Sequence, residues 1–118
     1  MVGGWRTGSG TRSTTIGALL LGYHDDEGRL VYAGKVGTGF SGSELDRLEK
    51  LFAGLARDTP PFRPAPPRAE ARDAHWLEPA TVVEVAFAEW SSDGLLRHPS
   101  YLGQRTDKDP ASVVREPG

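Results

Sequence analysis

Apolar residues in the first third of the chain fall into short runs separated by polar or glycine-rich breaks. The run from Thr14 to Tyr23 opens with β-branched residues, and residues 30–36 form a second run of strand length. Residues 24–28 between them are polar and end in glycine, as a hairpin turn requires. Residues 3–6 predict the tail of an earlier strand, joined to the next through residues 7–13. This part of the chain therefore predicts three β-strands.

After position 41 the spacing of apolar residues changes from that of a strand to that of a helix. They recur there at intervals of three and four, at Leu45, Leu48, Leu51, Phe52 and Leu55. Ser41 followed by Glu44 has the spacing of a capping box, which satisfies backbone N–H groups at a helix start. The pattern predicts a helix from Gly42 to Arg57.

The second half of the chain begins with a proline-rich segment and then returns to alternation. Residues 58–79 predict a long extended loop. Residues 81–90 alternate as a strand does, and residues 91–94 predict a tight turn before a final strand that starts at Leu95. The order is three strands, a helix, a long loop and two strands. This is the order of an OB fold, an all-β class with one helix: a five-stranded Greek-key barrel whose helix lies between strands 3 and 4, here a single domain over residues 1–118.

Composition narrows the possible functions. The chain has no cysteine, which excludes disulfides and thiolate metal sites. Its three histidines are scattered without the spacing of metal ligands. No apolar run is long enough to cross a bilayer, and the N-terminal residues lack the pattern of a signal peptide. We expect a cytoplasmic domain without a bound metal.

Basic residues concentrate in two segments although the net charge is −2. Residues 1–24 contain Arg6 and Arg12 and no acidic residue, while the acidic excess lies mainly in residues 25–27 and the middle of the chain. The segment Arg97–Lys108 carries two guanidiniums and an ammonium, interrupted by a proline and a glycine where the backbone bends. Arginine binds phosphate through two parallel hydrogen bonds, and lysine supplies a compact charge. By composition alone, such a segment is more often a solvated surface.

The same segment resembles the closing motif of ATP-dependent DNA ligases, which approximates Arg-Phe-Pro-Arg-Phe-x-Arg-x-Arg-x-Asp-Lys. Five residues fall on matching positions: Arg97, Pro99, Arg105, Asp107 and Lys108. Tyr101 replaces an aromatic residue with another, His98 stands at a phenylalanine, and Ser100 and Gly103 stand at arginines. Two further blocks, residues 35–45 and the glycine-rich residues 3–22, are similar to the same family in the same order. The chain resembles the C-terminal OB domain of bacterial ligases of the D type.

The resemblance implies a part in the first step of ligation, in which a lysine is adenylated from ATP with Mg²⁺ present in the full enzyme. Arg97, Arg105 and Lys108 are then expected to bind or orient the departing pyrophosphate, and Asp107 to position the motif or a metal. This domain alone is expected to bind neither cofactor. The resemblance also implies repair and recombination of DNA, including non-homologous end joining, although the residues do not choose a pathway.

A second implied role is to clamp nicked double-stranded DNA through contacts that do not depend on base sequence. The expected DNA-binding residues are Arg6, Arg12, Lys35, Thr38 and Tyr101. The other expected partner is the nucleotidyltransferase domain of the same ligase, and no membrane is expected.

The chain lacks the Lys-x-Asp-Gly motif that carries the nucleophilic lysine of this family. We therefore expect it to be inactive alone, as a fragment, a separated domain or an accessory module. Two alternatives remain open at this point. One is a non-catalytic OB module that binds single-stranded DNA, for which Trp5 and Trp90 are candidate stacking residues, or a protein partner. The other is the OB domain of an mRNA capping guanylyltransferase, against which residues 35–41 favour the ligase.

Overall fold

The computed structural model describes residues 1–7, 16–63, 65–66, 68–72, 74–92 and 94–105. Its strands are β1 (Val2–Thr7), β2 (Ile16–His24), β3 (Leu30–Val36), β4 (Ala56–Arg57), β5 (Ala74–Ala86), β6 (Glu89–Trp90), β7 (Leu96–Arg97) and β8 (Ser100–Arg105). Its helices are α1 (Gly42–Ala53) and α2 (Arg68–Ala71). In the part of the chain so described, neither helix has the length and apolar character needed to cross a membrane.

The sheet is antiparallel and curls into a half-barrel. Its strands follow the order β3-β2-β1-β5-β4, β8 pairs with β5, and β6 and β7 form a separate two-stranded sheet. In the described residues no ladder joins β3 to β8. These strands approach each other just beyond β3, where the Tyr101 N–H donates to the carbonyl oxygen of Thr38 at 2.9 Å. The predicted all-β class with one main helix after the third strand is confirmed, as is the OB topology.

Helix α1 begins where its cap predicts and ends earlier than its apolar pattern predicts. Ser41 is the N-cap, and its hydroxyl accepts a hydrogen bond from the backbone N–H of Glu44 at 3.1 Å. The helix ends at Ala53, and the predicted extension to Arg57 is wrong. Residues 56–57 instead pair with β5 opposite Trp76 and Leu77, because backbone groups at a sheet edge gain more from a ladder than from another helical turn.

The predicted proline-rich loop of residues 58–79 is too long, because β5 begins at Ala74 and includes Pro79. The pairing of β5 with β1 shifts register between Trp76 and Thr81, which face Gly4 and Val2. Pro79 lies within this irregularity, where its missing N–H does not break a regular ladder. Tertiary pairing thus recruits residues that the local pattern assigns to a loop.

Two apolar clusters lie in the fold. The larger lies between the sheet and α1 and contains Leu19, Leu48, Phe52 and Tyr101 among its buried residues. The smaller contains Leu20 and Phe62. Leu19 and Leu20 are neighbours in β2 and so point to opposite faces, which places the two clusters on the two sides of the sheet. Each face of the sheet therefore carries a cluster of buried apolar residues.

Candidate functional site

Strand β8 carries the segment singled out by its sequence, and it contains a β-bulge. Leu102 is the extra residue between Tyr101 and Gly103, and its side chain is 59% exposed. Residues three apart in a regular strand point to opposite faces, but the bulge places Tyr101 and Gln104 on the same face. Arg105 follows on the other face. Because of the bulge, Tyr101 and Gln104 share the side of β8 that packs on α1, and Arg105 lies on the side that faces outward.

Tyr101 belongs to the core. Only 4% of it is exposed, and its ring stacks on Phe40 with centroids 4.5 Å apart. Its backbone N–H is bound to Thr38, and Gly39 contacts its backbone so closely that a Cβ on Gly39 would lie 2.8 Å from the Tyr101 nitrogen. Two of the three sequence blocks that resemble ligases thus meet here, through residues 38–40 of one and 100–101 of the other. A direct DNA contact by Tyr101 stays a prediction, and its burial favours a supporting role.

Glu44 and Arg47 on α1 bind the inner side of β8. The Tyr101 hydroxyl donates to Glu44 Oε2 at 2.5 Å, and Arg47 Nη1 donates to Gln104 Oε1 at 2.7 Å. Within the helix, Arg47 Nε and Nη2 donate to the two carboxylate oxygens of Glu44 at 2.7 and 2.8 Å. Glu44 and Arg47 thus form a bidentate ion pair on the helix, and each is also hydrogen-bonded to one side chain of the strand.

The charges in this group of contacts shift the pKa values of its members. Hydrogen bonds from Arg47, together with that from Tyr101, lower the pKa of Glu44 to about 2 despite some burial. Burial and the hydrogen bond to Glu44 raise the pKa of Tyr101. Because the pKa of Glu44 is depressed, its stabilising contribution is complete above the ordinary value of 4.5 and is lost as the pH falls towards 2.

The two described arginines of the motif are surface residues paired with carboxylates. Arg105 Nη1 donates to Glu84 Oε1 at 3.1 Å, and their side chains are 42% and 50% exposed. Arg97 Nε lies 3.9 Å from Glu89 Oε1, and its side chain is 56% exposed. Exposed ion pairs of this kind contribute little, about 0–1 kcal/mol each. Neither pair therefore contributes much to the stability of the fold.

Arg105 also lines an open groove of about 400 Å³ between β2, β3, β5 and β8. Leu96, the neighbour of Arg97 in β7, and Trp90 line the same groove. The Trp90 ring contacts Tyr23 and Phe87 edge to face. The groove places Arg105 at the edge of an aromatic surface.

Arg6 and Lys35 lie on one face of the sheet, and Arg6 is half-buried while Lys35 is exposed. Arg6 lies opposite Ala18 of β2, and Lys35 lies opposite Leu20. Since Ala18 and Leu20 are two residues apart, all four side chains point to the same side. Two strand spacings and two residues separate the cations by about 12 Å. The exposed Thr38 lies apart from them, in the connection after β3.

Three of the predicted site residues, Arg12, Asp107 and Lys108, lie outside the described residues. In the described ranges, no group of three or more His, Cys, Asp or Glu side chains is placed to hold a metal ion. Trp5, a candidate stacking residue, stacks on His75 with centroids 4.1 Å apart.

Sequence reasoning missed Arg47 and Gln104 and gave Glu44 only the role of a cap residue. The sequence does contain a signal for the ion pair, because Glu44 and Arg47 are three residues apart and therefore share a helix face. The neighbouring residues give no indication that this pair contacts a strand 57 residues away in the sequence.

The curled sheet, the helix after its third strand and the arginines of its last strand and hairpin define an OB-fold domain with a basic C-terminal motif. The family described as the C-terminal region of ATP-dependent DNA ligases matches residues 12–108. The chain belongs to this family.

Similar proteins support the same assignment. The chain is 46% identical to the multifunctional non-homologous end joining protein LigD of Mycolicibacterium smegmatis over 116 residues. It is 32% identical to DNA ligase 2 of Methanosarcina acetivorans over 117 residues, which covers 93% of this chain and 19% of that protein. The LigD alignment covers 98% of this chain and 15% of the relative, so the chain spans a small part of the proteins that it resembles.

Solved structures agree with the sequence comparison. The crystal structure of the ligase domain from M. tuberculosis LigD superimposes with a TM-score of 0.91 at 43% identity, covering 98% of this chain and 37% of that chain. A mycobacterial DNA ligase D complexed with ATP and MES superimposes with a TM-score of 0.84 at 42% identity, covering 98% and 36%.

Proposed function

We propose that this chain acts as the C-terminal domain of an ATP-dependent DNA ligase that seals nicked duplex DNA in non-homologous end joining. The observation that carries the proposal is the construction of β8. Its inner side is bound to α1, and its outer side presents Arg105 two residues before Asp107 and three before Lys108. Arg105 is thus presented by a strand whose opposite side is hydrogen-bonded to α1.

In the adenylation step, Arg97, Arg105 and Lys108 bind and orient the pyrophosphate that leaves ATP. Fixed cations stabilise the charge that develops on a leaving group, and arginine matches phosphate geometry. The pairs with Glu89 and Glu84 lie at the surface, where exchange of these carboxylates for a phosphate costs little. Asp107 then serves to orient a neighbouring cation or a metal-bound water. ATP, Mg²⁺ and the nucleophilic lysine belong to the nucleotidyltransferase domain, and a cytoplasmic location stays a prediction.

In the sealing steps, the face that carries Arg6 and Lys35 contacts phosphates of the nicked duplex, together with Arg12 and Thr38. Support for this role comes from the shared face of Arg6 and Lys35. Their separation of about 12 Å suits two different phosphates rather than one. Such contacts add affinity without selecting a base sequence.

The proposal is tested with a chimaera in which all 118 residues of this chain replace the matching part of the ligase domain from M. tuberculosis LigD. We expect the chimaera to adenylate itself and to seal a nicked duplex, and the mycobacterial protein without that part to do neither efficiently. A folded chimaera as inactive as the truncated protein would contradict the proposal. Binding that favours single-stranded DNA over the nicked duplex would instead support a non-catalytic OB module.

Contacts of the DNA-binding face with phosphates would make the affinity for DNA depend on salt concentration. Replacing Arg6 and Arg12 with glutamine in the chimaera should reduce the slope of log affinity against log salt by about 2, because each lost phosphate contact releases about one counterion fewer. The measurement is a titration of nicked duplex at several salt concentrations. The control replaces Arg29 and Lys50 with glutamine, which removes the same charge in the β2–β3 turn and on α1. An unchanged slope in the test variant removes Arg6 and Arg12 from the interface.

A further inference from the structure

The contacts between α1 and β8 are more specific than packing of a helix on a sheet requires. Tyr101 and Gln104 are three residues apart and reach the same helix only because Leu102 is bulged out between them. Glu44 and Arg47 are also three residues apart, which is the spacing at which side chains share a helix face. Two matched pairs of side chains therefore define one position of the strand against the helix.

The bulge has a second effect on the other side of the strand. Gly103 lies opposite Glu84, and Arg105, two residues further on, is diagonal to the same Glu84, with which it pairs. A strand that rotated about its axis or slipped by one residue would move Arg105 to the opposite face. The contacts at Tyr101 and Gln104 oppose both movements.

We propose that Glu44 and Arg47 are positioning residues for adenylation, which act through Tyr101 and Gln104 to hold β8 in the register that directs Arg105. They touch no substrate themselves. The inference rests on the proposed function, because it assigns these contacts to the same phosphate-binding motif. Both residues lie outside the motif, on α1.

The surroundings of Glu44 support a fixed geometry. Its side chain is 22% exposed. Arg47 donates to both carboxylate oxygens and Tyr101 donates to Oε2, so the carboxylate is held from two directions. Its lowered pKa keeps it charged throughout the neutral range. The Tyr101 ring is fixed independently by stacking on Phe40 and by the backbone bond to Thr38. Removing the hydroxyl alone therefore loosens the strand while leaving the ring packed.

The test uses the chimaera and separates the two chemical stages. Tyr101→Phe removes only the bond to Glu44 and should slow self-adenylation about tenfold, because small displacements of orienting groups are costly in rate. Sealing of a nick that is already adenylated should change less than twofold. Glu44→Gln retains an acceptor for the hydroxyl and should lose less than Glu44→Ala. Gly28→Ala, in the β2–β3 turn, is the control for a general loss of stability, since a Cβ there meets nothing within 4 Å and its φ of +79° makes the substitution strained.

A double variant distinguishes this inference from the function on which it rests. If Tyr101 acts through the register of β8, Tyr101→Phe should have little further effect on adenylation once Arg105 is alanine. Independent, multiplicative losses would overturn the inference, and so would equal losses of adenylation and sealing in Tyr101→Phe. A Lys108→Ala chimaera that adenylates normally would overturn the proposed function itself, and the inference with it.

Discussion

Replacing Lys108 with alanine in the chimaera is expected to slow self-adenylation about 100-fold while sealing of pre-adenylated nicks stays within about threefold of the parent. The leaving pyrophosphate gains negative charge only in the first chemical step, so a cation aimed at it stabilises only that transition state. In the second step the 5′-phosphate takes AMP from the lysine, and in the third step the 3′-hydroxyl displaces AMP, so neither step releases pyrophosphate. A lysine that serves the pyrophosphate has little to stabilise there.

The measurement compares single-turnover formation of the adenylated protein with sealing of a DNA substrate that already carries AMP at its 5′-phosphate. Lys50→Ala is the matched control, because Lys50 is an exposed lysine in the last turn of α1 and its loss removes the same charge. We expect the control to behave as the parent in both assays. Equal losses of adenylation and sealing in Lys108→Ala would show that the residue has no special part in the first step.

Gly39→Ala is expected to destabilise the 118-residue chain by about 3 kcal/mol or more, measured by denaturant unfolding. Two separate effects add at this position. The φ of Gly39 is +96°, a region that residues with a Cβ rarely adopt. A Cβ there would also lie 2.8 Å from the Tyr101 nitrogen, 3.0 Å from the Ser100 hydroxyl oxygen and closer still to the Tyr101 carbonyl oxygen. Backbone atoms cannot move aside as the end of a flexible side chain can.

Gly28→Ala isolates the first of these two effects. Gly28 has a φ of +79°, and a Cβ on it would meet nothing within 4 Å. Its substitution should therefore cost only the backbone strain, about 1–2 kcal/mol. The difference between the two losses in unfolding free energy measures the cost of a Cβ where residues 37–41 approach β8 closely. If both variants lose the same stability, that approach makes no energetic contribution.

The residues of the candidate site differ in how far sequence could predict them. The motif positions Arg97, Arg105, Asp107 and Lys108 were recognisable because a short stretch of chain carries them all in a characteristic order. The partners of β8 on α1 were not recognisable. Glu44 reads locally as half of a capping box, and its contact with Tyr101 depends on how a helix and a bulged strand meet.

Tyr101 shows that a motif alone does not determine which way a side chain points. Within the motif it is an aromatic residue among cations, which suits contact with a nucleic acid. In the structure its neighbours on the outward side are Ser100 and the exposed Leu102, while its own ring is buried against Phe40. Strand alternation decides which residues of a motif face outward, and a bulge changes that alternation part of the way along.

The sequence by itself determined the strands of the first third, the start of α1 at its Ser41 cap and the order of the main elements. These features depend on neighbours within a few residues, through apolar periodicity and side-chain capping. Only the tertiary structure decided the end of α1 at Ala53, the start of β5 at Ala74 and the inward orientation of Tyr101. Each of these depends on pairing or packing with residues distant in the chain, where the free energy of a ladder or a buried contact outweighs the local preference.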